Sequence, residues 1–588
     1  MALLSRTSIY IDGEEVPSFK HLHLDQPLGD HHILEVAFRM DTLENGTSEF
    51  GERSRSFLGK SISVEINSVS NRSSAGTLEF VGVITDLRLV KGNHTGNGDE
   101  IVLRAKSTSC LSDNGAHYNS YNDVTLADIA HEILQNFQLD CDISPRFDET
   151  IAYCVQHHES CFAFLRRLAA LYGEWFYYNG ERLVFGTPEM NDTELRYAID
   201  LDAFELGFIP LPQKQTLFTN DYLTDTIAQT EPHIKPDGVT ATNGFLYDKS
   251  SEIFGQRTSV WNNHNNGSQA FERLQSKARS AHDAIVINEL VARASSSNPG
   301  VKLGNLVTIE NEKYRVVGIR HSADGSGHYH NHFEAVSGSF EAYPKTDIHA
   351  FPRSEAQVAK VMENHDPEGL ARVKVQFAWQ QAENKMTPWI RIVSPSASSG
   401  QGFFFIPEVG DEVFVQFEGG NAECPYVVGS LFNANAEPPS GSSNESNHIK
   451  MLQSRSGSIV KLNDEDGSVK LQDAAGSFIL LDGTGNIVIN AVENFNIDCK
   501  VGAFDARETL NVGSPDTTVA GDDYLWLTSD TEVKTDGPTI TLSGTANIDV
   551  NAPDIVISGE TSTTVTGGTV DINGTGMTNV KGGTVNLN

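Results

Sequence analysis

The sequence predicts a mainly β fold divided into several modules, and three observations lead to that class. With 588 residues, the chain corresponds to about four structural units at roughly 150 residues per domain. Apolar and polar residues alternate in segments such as 61–66 and 82–89, which is the pattern of half-buried strands. Towards the C-terminus, short apolar pairs separated by Gly, Asp and Asn recur at regular spacing. These features predict β modules followed by a β repeat.

The chain is strongly acidic. Its 78 Asp and Glu residues against 43 Lys and Arg residues give a net charge of −35. A surface this acidic repels phosphate backbones, so nucleic-acid binding is excluded as the main function. The first residues lack the continuous apolar stretch of a signal peptide, and no segment approaches the ~18 apolar residues of a membrane helix. We therefore expect assembly to begin in the cytoplasm.

Residues 1–345 combine strand patterns with helical segments. One helix is expected to begin directly after Thr125. Thr125 is a residue type that caps helix N-termini, and Asp128 lies three positions further on, as in a capping box. Another places Phe164 and Leu168 on one face at helical spacing. The predicted helices are residues 126–137, 160–172 and 268–281.

Residues 356–437 predict a small barrel of the oligonucleotide-binding (OB) type. Short strand patterns joined by Gly- and Pro-containing connections follow one another closely there, as in such barrels. The predicted strands are residues 371–377, 389–393, 402–407, 411–417 and 426–431. Residues 438–457 are predicted to be a linker, because the Pro-, Ser- and Gly-rich stretch at their start cannot bury a core.

Residues 458–588 form a run of short strands in which two strands repeat every fifteen residues. Apolar pairs begin at spacings of 8, 7, 8, 7, 8 and 7. The two members of a pair are two residues apart, so both face the same side of the strand. The inward positions predicted in this way are Ile540, Leu542, Ile548, Val550, Ile555, Ile557, Val565, Val570, Ile572, Val580, Val585 and Leu587.

This inward face needs a cover that one chain does not provide. With two apolar residues per strand and no aromatic residue after Trp526, a single chain has too little side-chain volume to close a core. Three chains wound together would share one apolar axis, and they would pair the strand edges that otherwise cause aggregation. The sequence therefore favours a trimeric β-prism, or triple-stranded β-helix, over the alternative of a one-chain β-solenoid.

Two further stretches carry dense motifs. The first contains His158-Glu159-Ser160, Phe164-Leu165, Arg167-Leu168, Gly173 and Trp175-Phe176-Tyr177-Tyr178. The second contains Asp366, Gly369, Arg372-Val373-Lys374-Val375, Trp389-Ile390-Arg391, Pro407, Gly410, Glu412-Val413, Pro425 and Gly429. With the repeat, they resemble in order the hub, small barrel and β-prism of the VgrG-type central spikes of contractile injection machines. The sequence departs from that family at Glu408, where a basic residue is common, and at residues 421–424.

The resemblance implies a mechanical function. Residues 1–345 would form a hub of two β-barrel units with helical insertions, residues 356–437 a collar, and residues 458–588 an envelope-piercing needle. The implied partners are two further copies of the chain, a hexameric inner tube protein, baseplate proteins, effectors and a PAAR-type tip protein. The tip protein would contact Val585, Leu587 and Asn588. The assembled spike would be expelled into the extracellular space or the envelope of a target cell.

One histidine cluster is the best candidate for metal chemistry. His328, His330 and His332 place three imidazoles on one strand face, with His321 nearby, and imidazole is a common metal ligand. The alternative interpretation is a solvated or interface strand. Because no carboxylate or Cys is interleaved with these residues, we expect neither a metal site nor a cofactor.

We expect from the sequence that the chain is not an enzyme. It contains no Gly-x-Ser-x-Gly elbow, and the glycines of residues 325–327 and 483–485 lack the rest of a phosphate-binding loop. The main alternative from another functional class is a receptor-binding fibre or adhesin with a β-solenoid shaft. A spike-linked hydrolase is the third possibility.

Overall fold

The computed structural model describes residues 5–44, 52–69, 76–91, 99–232, 235–262 and 270–587. The chain divides into two compact units, Met1–Asn490 and Ala491–Asn588. The first unit contains all the regular helices and strands of the described ranges. Among the described residues, every helix falls short of the combined length and apolarity that a membrane crossing requires.

The N-terminal region of the first unit is built on one large sheet of thirteen strands. Neighbours run β14-β18-β21-β20-β3-β4-β7-β6-β5-β1-β2, and β19 joins β13 to β20. The remaining strands form three small sheets, β8/β10, β9/β11/β12 and β15/β16/β17. The strands in chain order are β1 (Ser5–Ile11), β2 (Glu14–Glu15), β3 (His21–Pro27), β4 (Ile33–Arg39), β5 (Ser61–Ser68), β6 (Thr77–Val90), β7 (Glu100–Ser107), β8 (His117–Val124), β9 (Cys141–Ser144), β10 (Ile151–Glu159), β11 (Trp175–Tyr178), β12 (Leu183–Gly186), β13 (Asp192–Leu195), β14 (Leu201–Phe208), β15 (Gln215–Asp221), β16 (Thr226–Thr230), β17 (Thr258–Trp261), β18 (Leu290–Ser296), β19 (Leu306–Ile309), β20 (Glu312–Asp324) and β21 (Tyr329–Ser337).

Strand β11 separates the two largest hydrophobic cores among the described residues of this region. All four of its residues are buried. Phe176 and Tyr178 belong to one core, whereas Trp175 and Tyr177 belong to the other. This division follows from the strand geometry, because successive side chains point to opposite faces.

Three of the six α-helices in the described residues correspond to sequence predictions. Thr125 and Asp128 form the expected capping box of α3, and Ser160 caps α4 by accepting a hydrogen bond from the backbone N–H of Ala163. Helix α5 was not predicted, because its apolar residues do not share one face: Phe245 is exposed while Asn243 is buried. The helices are α1 (Met40–Leu43), α2 (Glu52–Arg55), α3 (Leu126–Leu134), α4 (Cys161–Tyr172), α5 (Ala241–Ile253) and α6 (Ala270–Ile287). The predicted start of α6, at residue 268, lies outside the described residues.

The OB barrel is built on a four-stranded antiparallel sheet in the order β23-β22-β26-β27. The segment predicted as a strand at residues 389–393 makes only single bridges instead. Ile390 pairs with Val373 before β23, and Ile392 pairs with Val427 in β27, so this segment closes the barrel between its two outer strands. The segment predicted at 402–407 is a strand only at its first residue. The strands are β22 (Gln357–Glu363), which was not predicted, β23 (Lys374–Phe377), β24 (Ala397–Ser398), β25 (Gln401–Gly402), β26 (Glu412–Phe417) and β27 (Pro425–Ser430).

A five-stranded antiparallel meander follows the barrel. Each strand has four or five residues and pairs with the next one along the chain. The strands are β28 (Ile449–Gln453), β29 (Ile459–Asn463), β30 (Ser468–Gln472), β31 (Phe478–Leu481) and β32 (Ile487–Asn490). The sheet starts inside the segment predicted as a linker, so that expectation is wrong for residues 449–453.

The second unit has a regular backbone without strand pairing in its described part, 491–587. Bends recur along it, and successive bends begin seven or eight residues apart, at residues 492, 500, 507, 515, 522, 530, 537, 545, 553, 560, 568, 575 and 583. The bends after residue 540 fall between the apolar pairs found in the sequence. The backbone therefore follows the same fifteen-residue repeat as the side chains.

Candidate functional site

The meander β28–β32 exposes a face made of aliphatic side chains. Strand registry places Leu452, Val460, Leu471, Ile479 and Ile489 in one row, and Leu462, Val469, Leu481 and Ile487 in the next. Eight of these nine side chains are exposed and Val469 is half-buried. We call these nine residues the aliphatic face. Monomeric soluble proteins rarely expose such a contiguous apolar surface, which marks an interaction site.

The opposite face of the same sheet is mixed in character. Lys461 and Lys470 face each other there, and the Lys470 ammonium lies 4.6 Å from the centroid of the Phe478 ring. Because side chains alternate between the two faces of a strand, apolar residues such as Phe478 and Leu480 also lie on this side, next to the two lysines.

The predicted inward residues of the repeat are exposed in the single chain. Leu587, for example, is 90% exposed and Ile557 75%. The remaining positions behave alike, namely Ile540, Leu542, Ile548, Val550, Ile555, Val565, Val570, Ile572, Val580 and Val585. Of the residues predicted to contact a tip cap, Asn588 lies outside the described residues.

An ion-pair cluster joins the N-terminal region to the OB barrel. Arg167 on α4 holds Glu159 through its Nε and Nη2 atoms at 2.9 to 3.1 Å, and its Nη1 lies 3.7 Å from Oε1 of Glu423 in the barrel. The backbone N–H of Val155 donates to the same Glu423 oxygen at 3.2 Å. These three charged side chains are largely withdrawn from water, so each depends on the others for compensation.

A buried lysine lies beside this cluster. The Lys277 ammonium is 5.1 Å from the centroid of the Tyr172 ring. Burial lowers the pKa of Lys277 to about 8, and the nearby Glu423 carboxylate opposes that shift. Positive charge on both Arg167 and Lys277 therefore faces the Glu423 carboxylate of the barrel.

A second contact between the two regions uses strand β8 and the 3-10 turn Ala378–Glu383. Gln380 donates to the Ser120 hydroxyl at 2.7 Å, and the Lys385 ammonium donates to the Asn119 side chain at 2.8 Å. The same ammonium lies 4.7 Å from the centroid of the Tyr121 ring. Hydrogen bonds and a cation–π contact thus fix this edge of the barrel.

A third contact comes from the turn between β15 and β16. The Arg391 guanidinium lies 4.4 Å from the centroid of the Tyr222 ring. Nearby in the barrel, Arg372 donates two hydrogen bonds of 2.8 Å to Asp366, which hold the pKa of that carboxyl well below its usual range. The N-terminal region therefore holds the barrel at three separate points, and we call these three contacts together the hub–barrel junction.

The structure divides the predicted histidine cluster between two faces. His321 is buried and bonds through its ring nitrogens to Tyr329 and Gln26. His328, His330 and His332 are exposed on the other side of the sheet. Across the described ranges, no group of three or more His, Cys, Asp or Glu side chains is arranged around a metal position.

The junction explains motif residues that the sequence alone did not assign to a task. Glu159 and Arg167 carry the resemblance, and the structure shows that they form the base of the junction. Glu423, in the segment that departs from the family, supplies the acidic partner. The other departure, Glu408, pairs with Arg455 at 3.1 Å. Only the folded chain brings residues so distant in sequence together.

Two families match this chain. Residues 48–198 match the family described as the phage tail baseplate hub. Residues 357–432 match the family described as the type VI secretion system and phage-baseplate injector OB domain. The matched ranges contain the motif stretches around Glu159 and Arg372.

Curated relatives and solved structures agree with these matches. The chain is 24% identical over 324 residues to the type VI secretion system spike protein VgrG1a of Pseudomonas aeruginosa, covering 49% of each chain. It is 26% identical over 320 residues to the actin cross-linking toxin VgrG1 of Vibrio cholerae, covering 49% of this chain and 29% of that protein. The chain thus spans about half or less of these relatives. A solved Francisella PdpA–VgrG complex aligns with a TM-score of 0.53 at 8% identity, covering 83% of this chain and 88% of the matched chain, which shows the fold alone.

The sheet, the OB barrel and the two family matches define the class as a baseplate hub joined to an injector OB domain. In both matched regions the chain resembles the VgrG-type spike proteins.

Proposed function

We propose that this chain forms the homotrimeric spike at the tip of a contractile injection machine. The observation that carries the proposal is the aliphatic face of β28–β32, which leads directly into the exposed repeat of residues 491–587. Two further copies of the same chain are the occupant that fits, because every copy presents the same apolar rows at the same height. If three such faces packed against one another, their exposed apolar side chains would form a buried core.

Burial of these side chains would favour association of the chains. Covering half-exposed aliphatic side chains stabilises by about 1 kcal/mol each. The aliphatic face contributes nine such residues per chain, and the repeat adds the twelve predicted inward positions. Strand edges would pair between chains at the same time, which supports a stiff rod, because no segment could yield without breaking many hydrogen bonds together.

In this proposal each part of the chain has a separate task. The N-terminal region contacts the hexameric inner tube and the baseplate, and the hub–barrel junction passes axial force to the OB collar. The repeat is the needle, and its end around Val585 and Leu587 receives a PAAR-type tip protein or effectors. The spike assembles in the cytoplasm and is expelled with the tube. The proposal assigns the chain no enzymatic reaction.

The mass of the purified full chain in solution tests the trimer. Light scattering coupled to size-exclusion chromatography should give three times the chain mass of 64.2 kDa, independent of concentration over the micromolar range. A stable, folded monomer would contradict the proposal and would favour a one-chain solenoid shaft, as in an adhesin.

A further inference from the structure

The outward side of strands β3, β20 and β21 carries five histidines. His21 and His23 lie on β3, and His328, His330 and His332 lie on or next to β21. Strand β20 runs between the two strands and aligns His23 with Ser322 and Ser322 with His330. We call these five residues the histidine patch. Its two halves are about three hundred residues apart in sequence, so only the sheet brings them together.

Two pairs in the patch have the spacing of a chelate. The ring centroids are 5.3 Å apart in His330 and His332, and 5.6 Å apart in His21 and His23. Two residues along a strand span about 6.7 Å, so the rings of each pair lean towards each other. Two imidazoles on one side of a strand can then bind one late transition-metal ion, which prefers nitrogen ligands.

The coordinating atoms are available. Neither His330 nor His332 hydrogen-bonds to another side chain within the described part of the molecule. His23 uses its Nδ1 on the Ser322 hydroxyl at 3.0 Å, which leaves its Nε2 free. A neutral imidazole is the form that binds a metal.

The charges around the patch also favour a cation. Asp25 and Asp324 lie on the same face, and Asp202 lies near His330. Two arginines on this face are already paired, Arg320 with Asp25 and Arg293 with Glu334. Asp324 is bonded to His328, so that histidine is committed to a partner and is not part of either pair.

We propose that the histidine patch holds two surface sites for late transition-metal ions such as Ni²⁺, Zn²⁺ or Cu²⁺, one on His330 and His332 and one on His21 and His23. Each site uses two imidazole nitrogens from alternate positions of one strand, and water completes the coordination. The inference stands independently of the spike function, since it depends only on the N-terminal sheet.

Calorimetric titration of the purified full chain with NiCl₂ tests the proposal, with MgCl₂ as the reference for ions held by carboxylates alone. We expect two Ni²⁺ ions per chain at pH 7.5, with binding lost at pH 5.5, where protons compete for the imidazoles. Identical titrations with Ni²⁺ and Mg²⁺ would overturn the proposal.

Paired variants assign each site. H330N/H332N and H21N/H23N should each lose one Ni²⁺ ion and keep the other, and the fourfold variant should bind none above the Mg²⁺ background. H349N, which alters an exposed histidine elsewhere, should keep both ions. If a paired variant binds as much Ni²⁺ as the natural chain, that pair of histidines does not form a metal site. Circular dichroism without metal checks that each variant is folded.

Discussion

At the scale of single residues, Arg167 is the side chain on which the hub–barrel junction most depends. It holds Glu159 with paired hydrogen bonds and also donates to the backbone carbonyl of Val155 at 2.7 Å. Both Glu159 and Glu423 would remain buried without it. Removing one partner of a buried ion pair is costly because the other charge stays desolvated.

We therefore expect Arg167→Met to lower the free energy of unfolding by about 3 to 5 kcal/mol, measured by urea denaturation followed by tryptophan fluorescence. Arg196→Met provides the matched control, because Arg196 and Glu194 form an ion pair on the exposed surface. That change should cost less than about 1 kcal/mol. Equal effects of the two substitutions would show that the Arg167 cluster is not a buried anchor.

A chain of buried polar side chains makes the N-terminal region sensitive to acid. His321 bonds to Gln26, which in turn bonds to Nδ1 of His32 at 3.0 Å. Burial lowers the pKa of both histidines from 6.5 to about 3. Between those two values the unfolded chain binds more protons than the folded chain, so stability falls as pH falls.

His321→Gln should flatten the dependence of unfolding free energy on pH between about 6.5 and 3, although it also lowers stability at neutral pH. The measurement is urea denaturation at pH 7.5, 6 and 5. His349→Gln should leave the natural slope unchanged. A slope that His321→Gln does not alter would mean that this buried histidine does not contribute to acid sensitivity.

At the scale of secondary-structure elements, the meander β28–β32 has one side made of aliphatic residues and one side that carries both lysines and apolar residues. We predict that Leu471→Asp, which places a charge on the aliphatic face, prevents trimer formation. A buried unpaired charge costs several kcal/mol and would occur once per chain. Light scattering of the purified variant would detect the loss of the trimer.

Lys461→Asp is the matched control, since it introduces the same residue on the opposite face of the neighbouring strand. This variant should remain trimeric. Loss of the trimer in both variants would point to general damage to the sheet, and retention in both would refute the aliphatic face as the contact.

The repeat allows a second test at the same scale. Ile557→Asp should block assembly of the needle, because Ile557 is a predicted inward position, and the heat- and detergent-resistant trimer should disappear from gels. Asp549→Ala, between two inward residues, should be almost silent. If Ile557→Asp still gives an intact resistant trimer, the inward assignment is wrong.

At the scale of the whole molecule, the amide protection of residues 491–587 should depend on whether the chain is a monomer or a trimer. Residues 491–587 have no strand pairing within one described chain, so their amides would exchange rapidly in a monomer. In a trimer they would pair between chains, and hydrogen exchange by mass spectrometry should show strong protection there. Rapid exchange throughout this segment in the full-length protein would contradict the proposed needle.

The order of the hub and OB regions, and much of their local structure, could be predicted from the sequence. Caps such as Thr125 and Ser160 act within one turn of a helix, and strand alternation depends only on neighbouring residues. The predictions failed where the partner was distant. The alternation in residues 389–393 predicts one strand, but these residues form single bridges to two different strands and close the barrel. Helix α5 was missed because it buries polar residues such as Asn243, which interrupt the apolar spacing expected of a helix.

The sequence by itself determined the modular β architecture, the family resemblance and the fifteen-residue repeat, because each depends on spacing along the chain. Tertiary structure decided which residues meet. It paired Arg167 with Glu423, buried His321 while exposing His330, and aligned nine aliphatic side chains from five short strands on one face. These outcomes depend on the registry of strands and on contacts across hundreds of residues, and local patterns of polarity do not encode either directly.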